Sequence, residues 1–162
     1  MIRKLMVVAL FVCLISLMAA AQELPKPEVF GGYQFTSTDG GWHGHGWNGA
    51  ANMYITNWLA VTGDFSGGYA NSASLTTYTF GPTFSTRRHM ISPFAHALFG
   101  GAHASALGVG DSGMAIMFGG GFDAGNKKLA LRAVQVDWMI LRFNGFTDKN
   151  NVRVSTGMLY RF

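Results

Sequence analysis

The sequence predicts an all-β fold, an eight-stranded antiparallel up-and-down transmembrane β-barrel, and three observations predict it. Large apolar residues alternate with small or polar ones in eight successive segments, which is the pattern of strands whose two faces meet different surroundings. Of the 162 residues 49% are hydrophobic and 14% aromatic but only 12% charged, a poor supply for the water-facing side of a soluble domain. The chain also opens with the features of an export signal.

That opening reads MIRKLMVVALFVCLISLMAAAQ. Arg3 and Lys4 form a basic start, an apolar run follows, and Ala19, Ala20 and Ala21 supply small residues for cleavage. The run, about 14 residues long, falls short of the ~20 that span a bilayer as a helix. Residues 1–21 are therefore expected to be a signal peptide and 22–162 the barrel domain. Cys13, the one cysteine, leaves with the signal, so no disulfide is available. The formal charge of +4 also loses two of its cations, and no basic cluster larger than a pair remains to bind nucleic acid.

The first run sets Val29, Gly31, Tyr33 and Phe35 against Phe30, Gly32, Gln34 and Thr36. The second opposes Trp47, Met53 and Ile55 to Asn48, Asn52 and Thr56. After a break at Asn57 and Trp58, the third sets Leu59, Val61 and Phe65 against Ala60, Thr62 and Asp64. The fourth opposes Tyr78, Phe80 and Phe84 to Thr77, Thr79 and Thr83, with Pro82 marking an irregularity because it donates no ladder hydrogen bond. A fifth run covers about 93–103, and a sixth alternates around Met114, Ile116, Phe118 and Phe122. In the seventh, 129–142, the parity of polar positions changes: Arg132 is even, whereas Gln135 and Asp137 are odd. One extra residue near Ala133 and Val134, a β-bulge, restores a common face. The eighth run ends the chain, with Val152, Val154, Met158, Tyr160 and Phe162 opposite Arg153, Ser155, Gly157, Leu159 and Arg161.

Alternation alone does not say which face is outside. The apolar face carries aromatics near strand ends, among them Tyr33, Trp47, Trp58, Trp138 and Tyr160, as in the girdles of membrane barrels. The inverse assignment gives a soluble periplasmic barrel binding an apolar ligand. With these residues in view, the chain resembles the small eight-stranded outer-membrane barrels of Gram-negative bacteria, the group of the OmpA transmembrane domain, OmpX and the opacity proteins. Its last residues, STGMLYRF, look like the β-signal read by the outer-membrane assembly machinery, carried by Ser155, Gly157, Tyr160 and Phe162. The resemblance implies a porin-like cell-envelope protein in the outer membrane, with both termini in the periplasm and lipid and lipopolysaccharide around it. It further implies a monomer with outer loops near 37–46, 67–74, 104–112 and 144–151, and inner turns near 57–58, 86–92 and 124–128.

The polar face then lines the lumen. It brings Asp64, Asp123 and Asp137 against Arg132, Arg153 and Arg161, with Gln34, Asn52 and Gln135 among them. Charges in a narrow interior need partners, so these residues are expected to form an ion-pair network that fills an eight-stranded lumen. GHGWNG at 44–49 matches G-x-G-x-x-G but lacks the strand before it and the helix after it that a dinucleotide site needs, and no cofactor is expected. His43 and His45 are candidate metal ligands in the first outer loop. His89, beside Arg87 and Arg88 in a turn, reads as a solvated cap or a contact to lipid phosphate. His103 and Ser105 match the H-x-S pattern of lipid A deacylases, which makes a lipid A-modifying enzyme the alternative to a non-enzymatic barrel with a structural or surface-interaction role.

Overall fold

The computed structural model describes residues 25–86, 90–126 and 128–162. The expected signal peptide and the group Arg87, Arg88 and His89 lie outside them. Eight strands follow one another: β1 Glu28–Ser37, β2 His43–Tyr54, β3 Leu59–Ala70, β4 Ala73–Ser85, β5 Ile91–Ala106, β6 Val109–Gly125, β7 Leu129–Phe143 and β8 Phe146–Arg161. Each pairs antiparallel with the next, and β1 pairs with β8 to close the barrel. Closure pairs every strand on both sides and leaves no edge. Among the described residues no helix is long and apolar enough to cross a membrane.

The closing seam depends on small residues. Gly32 lies opposite Gly157, and a Cβ on Gly157 would stand 2.4 Å from the Gly32 Cα and from the Gly31 carbonyl oxygen. A side chain at either position would pry β1 from β8.

Face assignment follows the odd–even pattern. Tyr33, Trp47, Phe65, Tyr78, Phe80, Phe118, Trp138 and Tyr160 are exposed on the outside, while Gln34, Asn48, Asp64, Thr79 and Asp137 are buried within. The inverse assignment is thereby corrected: the aromatic face encloses no ligand cavity. The bulge in β7 falls at the expected place. Phe122 pairs with Val134 but Asp123 with Arg132, leaving Ala133 as the extra residue. A second register shift, between Met139 and Leu141 on the β8 side, has no counterpart in the sequence reading. Pro82 interrupts pairing between Phe80–Phe99 and Thr83–His96 without shifting the register.

The connections opposite the termini are shorter than expected. Strands continue through most of 67–74, 104–112 and 144–151, and two residues make each turn: Asn71 and Ser72, Leu107 and Gly108, Asn144 and Gly145. All six have φ between +46° and +86°, the type I′ geometry that matches the twist of a hairpin. Residues rich in Gly, Ser and Asn read as loops, yet here they are strand ends with polar groups on both faces. The first connection, 38–42, closes on the Thr38 N–H donating to the Trp42 carbonyl at 2.9 Å.

The interior is layered. Toward these hairpins Leu75, Leu98, Ala102, Met117, Met139 and Leu141 form an apolar cluster. Near the termini Phe30, Ala50, Ala130 and Leu159 form a smaller one. Polar and charged side chains fill the space between and beside them.

Candidate functional site: the charged lumen

The β7 bulge lets residues of unlike parity meet. Arg132, before it, points inward, and so do Gln135 and Asp137 after it. Arg132 donates from Nε and Nη2 to the two Asp123 carboxylate oxygens at 2.8 and 3.1 Å, and from Nη1 to Gln135 Oε1 at 2.8 Å. Gln135 Nε2 passes the chain on to Asp137 Oδ2 at 2.8 Å. The Arg132 guanidinium also lies over the rings of Phe94 and Phe30, 4.1 and 4.5 Å from their centroids. Such faces favour a cation when both are out of water.

Arg153 on β8 joins two acids from different strands. Its Nη1 and Nη2 donate to Asp64 at 2.8 and 3.2 Å, and its Nε to Asp137 Oδ2 at 2.8 Å. Asp64 accepts further from Asn48 Nδ2 at 2.9 Å, and Asp137 Oδ1 lies 2.8 Å from His96 Nε2. Arg153 and Asp137 have no exposed surface, so direct partners must replace the water they have lost. Space for this comes from Gly119, across the β6–β7 pair, where a Cβ would stand 2.0 Å from Asp137 Oδ1.

Nearer the termini Arg161 Nε donates to Glu28 Oε1 at 2.8 Å. Glu28 Oε2 accepts from Asn52 Nδ2 at 3.2 Å and from the Tyr54 hydroxyl at 2.9 Å. The space enclosed among Glu28, Asn52, His96, Arg132 and Arg161 has a volume of about 10 Å³, room for about one water molecule. As an arrangement of groups it is a set of saturated ion pairs, with donors and acceptors turned toward one another.

Glu28 and His96 are missing from the sequence-derived set. Both carried a signal. Glu28 shares even parity with Phe30 and Gln34 but precedes the run as read from Val29, and His96 sits in a run whose faces were not separated. Gln34 is buried as expected, but its Oε1 has no hydrogen-bond partner.

The other candidates fall elsewhere. His43 and His45 belong to strand β2, not a loop. Their rings lie against Phe35, and His45 Nδ1 pairs with the Tyr33 hydroxyl. Among the described residues no group of three or more metal-ligating side chains occurs. His103 Nδ1 pairs across the β5–β6 ladder with Ser112 Oγ at 3.0 Å, and not with Ser105 as the alternative H-x-S reading would have it. Ser105 instead lines a cavity at the hairpin end. At the C-terminus Ser155 is buried, Gly157 lies in the closing seam, and Tyr160 and Phe162 meet edge to face on the outside.

No family model matches the sequence, and neither does any curated protein. Solved structures do match. Neisserial surface protein A is 14% identical with a TM-score of 0.66, over 84% of this chain and 96% of its own. The N-terminal β-barrel domain of Pseudomonas aeruginosa OprF is 10% identical with a TM-score of 0.60, over 86% of this chain and all of its own, 100%. Ail, the attachment invasion locus protein of Yersinia pestis, is 18% identical with a TM-score of 0.53, over 85% and 99%. This chain has the eight-stranded antiparallel barrel fold of those small outer-membrane proteins.

Proposed function

We propose that the protein is a non-enzymatic integral barrel of a Gram-negative outer membrane, with a structural or surface-interaction role. The observation that carries this reading is the outward face, where Val61, Phe65, Phe80, Phe99, Phe118, Leu131 and Val136 are about half exposed around a closed barrel that holds the Asp123–Arg132, Asp64–Arg153–Asp137 and Glu28–Arg161 pairs inside. Hydrocarbon is the solvent that favours such a surface. The belt ends in aromatics, including the stacked Trp58 and Phe84 and the pair Tyr160 and Phe162, as side chains at a lipid headgroup level do.

Within this reading residues 1–21 are a cleaved signal, and Ser155, Gly157, Tyr160 and Phe162 present the strand to the assembly machinery. Lipid and lipopolysaccharide surround a monomer. The test is electrophoretic mobility of the outer-membrane fraction in SDS, heated against unheated. Two bands that interconvert on heating are expected from a detergent-resistant barrel. A single heat-insensitive band in the soluble periplasm overturns the reading. Phe162→Ala is expected to lower the heat-modifiable fraction while leaving total synthesis unchanged.

A further inference from the structure

At the hairpin end the barrel does not fill. A cavity of about 370 Å³ lies there, walled by Trp42, Leu75, Ala104, Leu141 and Phe143. That volume is enough for a small organic molecule. Exposed residues at its rim, Gly40, Ala106 and Val109, open it to solvent. Below it the Leu98, Met117 and Met139 cluster and then the ionic network close the lumen, so the cavity is blind and suits binding rather than passage.

Its charge is one-sided. Asp111 and Asp148 are the charged residues in the lining, and no Lys, Arg or His joins them. The Asp111 carboxylate already accepts from Asn144 Nδ2 at 2.7 Å. The Asp148 carboxylate has no hydrogen-bond donor of its own among the described residues: its Oδ1 is buried without a partner, and a ligand in the cavity meets the carboxylate from the side of its other oxygen. Two acids with no cation beside them favour a positive charge in the cavity, and an apolar wall left wet is a cost that an apolar body removes.

From these features we infer that the cavity binds a small amphiphilic cation, an organic amine with an alkyl or aryl body. The body displaces water from the wall, and the ammonium group donates to Asp148. Trp42 and Phe143 add aromatic surface, which attracts organic cations. A neutral apolar molecule would leave the carboxylate unpaired, an anion would meet two acids, and a bare metal ion would leave the wall wet. The inference rests on the sealed-barrel reading above and goes beyond it by naming a ligand class.

The test uses the full mature chain folded into zwitterionic lipid nanodiscs, with titration calorimetry of phenethylammonium and of neutral 2-phenylethanol against empty discs. The heat-shift assay is run first on every variant, so that loss of the barrel is told apart from loss of the site. Saturable binding of the cation, about tenfold tighter than the alcohol, is expected, the size of one charge-assisted hydrogen bond. Asp148→Asn should remove that preference while keeping the alcohol's affinity, and Ala104→Trp, which fills the space, should abolish both. Equal affinities for the two probes, an unchanged preference in Asp148→Asn, or no saturable binding overturns the proposal.

Discussion

Arg132 is flanked by two phenylalanine rings and tied to Asp123 and Gln135, so its removal does more than delete a contact. Arg132→Ala leaves the Asp123 carboxylate buried without its counter-ion, and a broken buried pair costs about 3–5 kcal/mol. The expected result is a lower urea midpoint for the barrel in detergent, with the heat shift retained below that midpoint. An unchanged midpoint would show that Arg132 does not face the lumen. Replacing both partners, Arg132→Met with Asp123→Leu, should cost less than Arg132→Ala alone, because no charge is left unpaired and Met keeps the space between Phe30 and Phe94 filled. At this scale parity was the readable quantity. It placed Asp64, Asp123, Asp137, Arg132, Arg153 and Arg161 on one face, but parity does not say which acid meets which base. Arg153 meets Asp137 across the adjacent β7–β8 pair but Asp64 from β3, and that second contact depends on barrel closure, which one strand's pattern does not contain.

Among the elements, β7 and the hairpins show opposite fortunes. The bulge at Ala133 was legible because two polar positions of unlike parity cannot share a face without it. Deleting Ala133 should therefore turn one half of β7 over, sending either Arg132 or both Gln135 and Asp137 outward. The deletion is expected to yield no heat-modifiable band, whereas Ala133→Ser, which keeps the count, should fold normally. The hairpin ends were misjudged because apolar alternation fades where both faces meet polar surroundings, although the ladder of backbone hydrogen bonds continues. The turn of β5 and β6 offers a milder test. Leu107 has φ +52° and is 88% exposed, a left-handed conformation that costs a leucine roughly 1–2 kcal/mol. Leu107→Asn creates the Asn-Gly pair favoured in such turns and should raise stability by about 1 kcal/mol, read as a higher urea midpoint. A lower midpoint would show that the exposed leucine makes a stabilising contact.

For the molecule as a whole, the question is whether an eight-stranded barrel with a polar interior conducts. An ion entering from the termini meets the Glu28–Arg161 pair, then Arg132 with Asp123, then Arg153 between Asp64 and Asp137, and beyond them the apolar cluster of Leu98, Met117 and Met139. Passing the first three requires parting buried charges. Passing the fourth requires moving an ion past the buried Leu98, Met117 and Met139 side chains, which offer little in place of its water, so that an unpaired charge is unfavourable there. The two barriers are in series, so opening one does not open the other. Purified protein in a planar bilayer is therefore expected to show no current above the lipid alone. Arg153→Ala, which loosens only the ionic layer, should also stay silent. Joining Arg153→Ala to Met117→Ser and Met139→Ser, which also wets the apolar layer, is expected to give cation-selective current, because Asp64 and Asp137 then face the path without their shared counter-ion. Steady current from Arg153→Ala alone would mean that the apolar layer is no barrier and that the network by itself closes the barrel, and steady current from the unaltered protein would mean that neither layer closes it.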